Sequence, residues 1–157
     1  MKIRKARLED LDRIVEIELE NFSLEEAITR SVFEAHLRVI QTSFLVAEKE
    51  GKIIGYIEGP VGPHRHLQDQ SFTEEIEDHS HEPGGYISVT CLSIAKEAQR
   101  LGLGQKLLTK DQRPFFFSLC GLYSGAGAMK IETPVHSCAN CSLESLVILT
   151  AGSGSAI

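Results

Sequence analysis

The stretch that most restricts the fold runs from Gln99 to Leu108, QRLGLGQKLL. Gly102 and Gly104 stand one residue apart, directly before an apolar run that reads as the opening turns of a helix. The segment ahead of it, YISVTCLSI from Tyr86 to Ile94, is β-branched and apolar enough for a central strand. Strand, short turn and glycine-opened helix therefore follow one another. A helix begins with about four backbone N–H groups that lack intrahelical partners, and the summed peptide dipoles leave partial positive charge there. Such a start is an anion site suited to a phosphate. Glycine permits unusual backbone angles and removes the Cβ that would hold a phosphate away. Two other phosphate loops do not fit. There is no G-x-x-x-x-G-K-[ST], and a three-glycine dinucleotide loop would need glycine where Leu107 stands.

Upstream, Lys2 to Ala6 alternates as a short strand, and Leu8, Leu11, Ile14, Val15, Leu19 and Phe22 recur at helical spacing. Ser23 to Glu26, SLEE, has the capping-box pattern and predicts the start of a second helix. Leu24, Ile28, Val32, Ala35 and Val39 would form its buried stripe. The runs SFLVAE and KIIGYIEG, joined by a short Glu-Gly-Lys connection, predict a β-hairpin. At 157 residues the chain suits one domain, 1–157, with an atypical tail from 110 onward.

From Pro60 to Gly85 the chain is a long polar insert, and loops of that length are functional or mobile. It holds Asp69, Glu74, Glu75, Glu77, Asp78 and Glu82, with His64, His66, His79 and His81 around them. It reads either as a solvated helical turn with a charged face or as an acidic lip that attracts an amine cation. The two H-x-H pairs lack a rigid scaffold, so no metal ligand is assigned. Net charge is −6, which argues against nucleic acid and favours cationic small molecules. No apolar run approaches the roughly 20 residues that span a bilayer. The first residues, MKIRKARLEDLD, lack the apolar centre of a signal peptide, so a cytoplasmic location is expected. Of the four cysteines, Cys138 and Cys141 form a C-x-x-C, with Cys91 and Cys120 elsewhere. Ordinary reduced thiols, half of a metal site with His136, and a redox pair are the three readings of that motif.

Gln99-Arg100-Leu101-Gly102-Leu103-Gly104 matches [Q/R]-x-x-G-x-[G/A] and so resembles the acyl-CoA pyrophosphate loop of the GNAT superfamily of acetyl-CoA-dependent N-acetyltransferases. The preceding order of strand, two helices, hairpin, central strand and loop is also similar to that family, over about residues 1 to 109. The resemblance implies an α/β fold: a mixed, mainly antiparallel sheet flanked by helices, with the C-terminal part incomplete or divergent. It implies acetyl-CoA as co-substrate. Leu92, Ser93 and Ile94 would offer backbone groups to its pantetheine arm, as an added strand would. Gln99, Arg100, Leu101, Gly102, Leu103, Gly104 and Gln105 would wrap the pyrophosphate. GGYISVTCLSIAKEAQRLGLG resembles more closely the arylalkylamine N-acetyltransferase branch, which carries a substrate-covering loop where the insert lies. Vertebrate members of that branch have two histidines on the strand as a proton route, and here Ser88 and Thr90 occupy those positions.

The implied reaction is acetyl transfer to a small-molecule amine by direct attack. An alkylamine with a pKa of about 10 is about one part in a thousand neutral at pH 7, which costs about 4 kcal/mol. A proton must therefore leave, directly or through water, while backbone N–H donors near Leu92 hold the thioester carbonyl. Glu58, Glu74, Glu75, His79 and His81 are the candidate acids and bases, and none is assigned. Cys91 lies mid-strand, where cysteine is a small core residue far more often than a nucleophile.

The tail departs from the family. Pro114 interrupts the third helix, and from Phe115 to Ile157 only Lys130, Glu132 and Glu144 are charged. Tyr123, the one tyrosine there, has no surroundings that match the family's leaving-thiol tyrosine. SLVILTA is the best strand candidate of a divergent C-terminal half. The other account is an out-of-frame translation, which would leave the third helix poorly covered and favour aggregation or a homodimer. The rival functions are a non-catalytic acyl-CoA-binding remnant and a thiol or metal module at Cys138 and Cys141.

Overall fold

The computed structural model describes residues 1–64, 68–82, 86–108, 130–132 and 148–150. Its elements are β1 (Lys2–Lys5), α1 (Leu11–Asn21), α2 (Arg30–Val39), β2 (Phe44–Lys49), β3 (Lys52–Glu58), β4 (Val61–Gly62), β5 (Tyr86–Ser88), β6 (Cys91–Ile94), α3 (Leu103–Leu108), β7 (Lys130–Glu132) and β8 (Ile148–Thr150). Short 3₁₀ turns cover Leu8–Asp10, Asp69–Phe72 and Lys96–Ala98.

The hairpin forms as its sequence predicts. Glu50 and Gly51 both adopt positive φ, 54° and 78°, which matches the twist of a two-residue turn to the flanking strands. β2 and β3 pair antiparallel, β1 joins on the far side of β2, and β6 pairs with β3, giving the order β1-β2-β3-β6. A second antiparallel sheet has the order β4-β5-β8-β7. Strand alternation divides the apolar residues between two faces. Phe44, Val46, Ile53, Tyr56 and Cys91 share a core with Leu11, Ile14 and Ile17 of α1 and Phe33 and Leu37 of α2. Leu45, Ala47, Ile54 and Ile57 pack on the other side with Leu103 and Leu107 of α3. Phe33 meets Tyr56 edge to face, with ring centroids 5.5 Å apart. The mixed α/β class expected from sequence is the one observed.

Two sequence expectations need correction. SLEE does form the local contact of a capping box, Ser23 Oγ donating to Glu26 Oε2 at 2.9 Å, but it closes only a turn. The second helix starts at Arg30, where the Thr29 side chain accepts from the Val32 N–H. Its buried residues are therefore Phe33, His36 and Leu37 at i, i+3 and i+4. Leu24 is 85% exposed, and Val39 is exposed as well. On α1 the inward face carries Ile17 and Glu18, whereas Leu8 and Leu19 face solvent.

The predicted single central strand is also interrupted, at Val89 and Thr90. Glu58 faces Cys91, but Val61 faces Ile87, so three steps along one strand match four along the other. The Thr90 N–H donates to Glu58 O and the Ser88 N–H to Pro60 O, which keeps the run 58–62 extended through the irregularity. This is a β-bulge, which kinks the strand and re-aims the residues beyond it. Gly59 makes it sterically feasible: a Cβ there would lie 1.8 Å from the Ser88 carbonyl oxygen. SLVILTA contains β8, whereas the third helix beyond Leu108, Tyr123, Cys120, Cys138 and Cys141 lie outside the described residues.

Replacing Gly59 with alanine forces the two strands apart. We expect it to destabilise the fold by about 1–3 kcal/mol or more, read as a lower urea midpoint. Gly62→Ala, where an added Cβ meets nothing within 4 Å, is the control and should leave the midpoint nearly unchanged.

Candidate active site

Three groups of polar side chains, two buried and one part-exposed, lie between the sheet and helices α1 and α2 or at the edge of that layer. At the first, Glu18 of α1 accepts hydrogen bonds from Tyr56 Oη and, at 3.6 Å, from Cys91 Sγ, while its other oxygen accepts the Ile28 N–H at 3.1 Å. Burial pushes the Glu18 carboxyl above its ordinary value, against the opposing pull of these donors. Burial likewise raises the Tyr56 hydroxyl, with Cys91 and Glu18 adding to it. Cys91 is thus a buried hydrogen-bonded core residue, as its mid-strand position suggested.

At the second, His36 of α2 and Glu58 of β3 are both fully buried, with Nδ1 and Oε2 2.8 Å apart. His36 Nε2 lies 3.0 Å from the Thr73 carbonyl oxygen, which can only accept, so Nε2 carries a proton. Burial alone would lower the His36 pKa, but the Glu58 hydrogen bond and charge, with the Thr73 carbonyl, carry it above its ordinary value. Among the described residues no donor meets the remaining Glu58 oxygen, Oε1. At the third, Asn21 at the end of α1 donates to Ser93 Oγ at 2.8 Å and Ile94 O at 2.9 Å, and it accepts from Gln99 Nε2 at 2.8 Å.

The third group leads to the glycine turn. Gln99 also donates to Ile94 O, so its side chain folds back and fixes the exit from β6. Arg100 and Gly102 then take positive φ, 63° and 69°, and α3 opens at Leu103, with the Lys106 N–H donating to Gly102 O. Leu103 is buried and Leu101 exposed. Gly104 lies in the first turn of α3, followed by Gln105. On β6, Ser93 is buried and Leu92 and Ile94 pack partly against the α3-side core. The Ala95 N–H donates to Ile54 O. By the alternation of an antiparallel ladder, the backbone groups of Leu92 and Ile94 turn away from β3.

The candidate acids and bases separate clearly. Glu74, Glu75 and His81 are exposed. His79 lies between Glu82 and Glu77, at 3.0 and 3.3 Å, and the hydrogen bond to Glu82 leads in raising its pKa. Glu58 alone of the five is fully buried. Ser88 is buried, and Thr90 Oγ1 donates to Glu58 O at 3.3 Å. His36 was missed in the sequence because the helix start was misplaced, which put its neighbours rather than itself on the inner face. Thr29, a cap residue three positions before an apolar residue, was the available signal.

The insert forms a cleft of about 220 Å3 that begins two residues past Glu58, lined by Pro60, Val61, Gly62, Gln70, Glu77 and Ser88 among others. Among the described residues no three His, Cys, Asp or Glu side chains converge as a metal site, and no helix is long and apolar enough to cross a membrane.

A family model described as Acetyltransferase (GNAT) family matches residues 8–110, and the chain belongs to that family. An N-alpha-acetyltransferase of Sulfurisphaera tokodaii is 29% identical over 112 residues, covering 71% of this chain and 60% of that protein. The chain thus spans less than two thirds of that relative's length. The loading GNATL domain of CurA from Lyngbya majuscula superposes with a TM-score of 0.61 at 18% identity, over 85% of this chain and 64% of that one. The GNAT-like decarboxylase GphF, in complex with isobutyryl-CoA, gives 0.57 at 19% identity, over 69% and 55%. Likeness at these identities is one of fold.

The raised His36 pKa sets a pH dependence. The folded chain holds this proton more tightly than the unfolded one, so the contribution to stability is complete below 6.5, the ordinary value, and is lost as pH rises through the folded value. Glu18, raised from 4.5, acts with the same sign. Urea unfolding from about pH 6 to about pH 9 should therefore show a falling stability that His36→Gln flattens.

Proposed function

We propose that this chain transfers an acetyl group from acetyl-CoA to a primary amine in the cytoplasm, by direct attack of the amine on the thioester. The observation that carries the reading is the family match over residues 8–110, with the motif Gln99–Gly104 placed directly after β6 and opening α3. In this reading the stretch Leu92, Ser93, Ile94 lies along the pantetheine arm and pairs with it through the backbone of Leu92 and Ile94, while Ser93 pairs with β3. Gln99, Arg100, Leu101, Gly102, Leu103, Gly104 and Gln105 enclose the pyrophosphate, helped by the positive end of α3. Positive φ at Gly102 supports this, because it lets the turn tighten where a β-branched residue would be strained. Asn21 and Gln99 hold the turn in place before any ligand arrives.

The acceptor is a small amine, of arylalkylamine or polyamine type. The small cleft and the Glu77 carboxylate in its lining support that choice. A second reading, acetylation of a peptide's N-terminal α-amine, is favoured by the relative named as an N-alpha-acetyltransferase. Either acceptor must lose a proton before its lone pair forms the N–C bond and the C–S pair leaves on the CoA sulfur.

Calorimetric titration with acetyl-CoA tests the cofactor half. Micromolar binding is expected, weakened about tenfold or more by Gly102→Val and by Gly104→Leu. Thiol release measured with a panel of small amines and short peptides tests the rest. Release that depends on a small amine supports the main reading, and release with peptides alone transfers it to the second. Binding without release with any acceptor means an acyl-CoA-binding protein that performs no transfer.

A further inference from the structure

A buried carboxylate oxygen without a donor costs more than an unmade surface hydrogen bond, because its hydration has been given up without replacement. Oε1 of Glu58 is such an atom, while Oε2 of the same group is engaged by His36. Its position in the fold shows what could reach it. Pro60, Val61 and Gly62, two to four residues past Glu58 in the same run, line the cleft. The opposite wall leads to the same place. Gln70 and Ser71 line the cleft, and Thr73, just past their 3₁₀ turn, is bonded through its carbonyl to His36. Each wall is thus two residues along the chain from the pair: Pro60 from Glu58, and Ser71 from Thr73, which meets His36.

We propose that this cleft is the acceptor site, and that it takes a small primary amine whose N–H donates to Oε1 of Glu58 while His36 holds the carboxylate by Oε2. The assignment rests on the acetyl-transfer reading for the role of the amine, but not for its binding. An amine fits an oxygen that lacks a donor, and Glu77, which His79 meets at 3.3 Å, adds a second carboxylate to the lining. Size argues in the same direction. At about 220 Å3 the cleft is smaller than the roughly 300–1,000 Å3 of drug-sized pockets, which suits an amine of few carbons better than a peptide. Glu58 has no exposed surface in this structure. Entry therefore requires the 69–72 turn to give way, and its tie to the pair is the hydrogen bond between His36 Nε2 and Thr73 O. His36 is a positioning residue: it fixes which carboxylate oxygen remains for the ligand.

The test uses the full chain with 2-phenylethylamine and 1,4-diaminobutane as probes, titrated without acetyl-CoA. Gly62→Val places a side chain in the cleft where an added Cβ meets nothing within 4 Å. The paired variant His36→Leu with Glu58→Met removes both polar partners together, so that neither is left buried and unmatched. Each should weaken amine binding about tenfold or more, while acetyl-CoA affinity stays within about twofold. In the parent protein, saturation with the bound amine should shift the His36 ring resonances, assigned with His36→Gln. That readout needs no altered Glu58 and holds even if the paired variant fails to fold. Parent protein that binds neither probe, Gly62→Val that binds as the parent does, or unmoved His36 resonances overturns the proposal. Amine binding without acetyl-CoA binding would retain the cleft and remove the transferase reading instead.

Discussion

The Ser88 carbonyl oxygen lies where the Cβ of any residue but glycine at position 59 would stand, and much of the molecule is arranged around that approach. At this approach one strand carries an extra residue, and β5 and β6 part company at Val89 and Thr90. The outer neighbour of β5 is β8, whereas β6 is the last strand of its own sheet among the described residues. Along the outer edge, pairing with β8 covers Tyr86 to Ser88 and stops before β6 begins. The glycine turn comes directly after the C-terminal end of β6 and the cleft lies against β5, so the two candidate ligand sites flank the irregularity.

The layer between sheet and helices is more polar than a core of this size requires. Glu18, His36, Glu58 and Ser93 are all buried there. Such groups stabilise little over a well-packed apolar alternative, but removing one member of a pair strands the other. Their value lies in register. Glu18 joins α1 to β3, β6 and the connection before α2; Asn21 joins α1 to β6 and the glycine turn; His36 joins α2 to β3 and the insert. An apolar contact would tolerate a small slide of a helix over the sheet, whereas these hydrogen bonds do not. Arg13 extends the same fastening at the surface, donating to Ile53 O and reaching Glu97.

The hairpin, the strand leading to the glycines and the glycine turn were legible because each depends on local chemistry: a Gly at positive φ, alternation, and spacing within six residues. The polar core was not. Its members sit at positions 18, 36, 56, 58 and 91, and only the folded chain makes them neighbours. Periodicity analysis treats Glu18 and His36 as solvent-facing, since it scores side chains by polarity and has no information about their partners. Placing the second helix at Ser23 compounded this, because a capping box identifies a favourable turn but not whether a buried face comes after it. Glu58 was named from the sequence for its chemistry, and its environment, which distinguishes it from Glu74 and Glu75, came only with the structure.

The insert is held in a way that separates its position from its composition. Two of its hydrogen bonds use its own main chain: the His79 N–H donates to Val61 O at 3.0 Å, and the Thr73 carbonyl meets His36 at 3.0 Å. Main-chain atoms are common to every residue type except for the missing N–H of proline. Mutation can therefore exchange the exposed side chains that the segment presents to the cleft, Glu77 among them, without touching these two hydrogen bonds, and a scaffold built this way can change what it selects while that part of its frame stays the same.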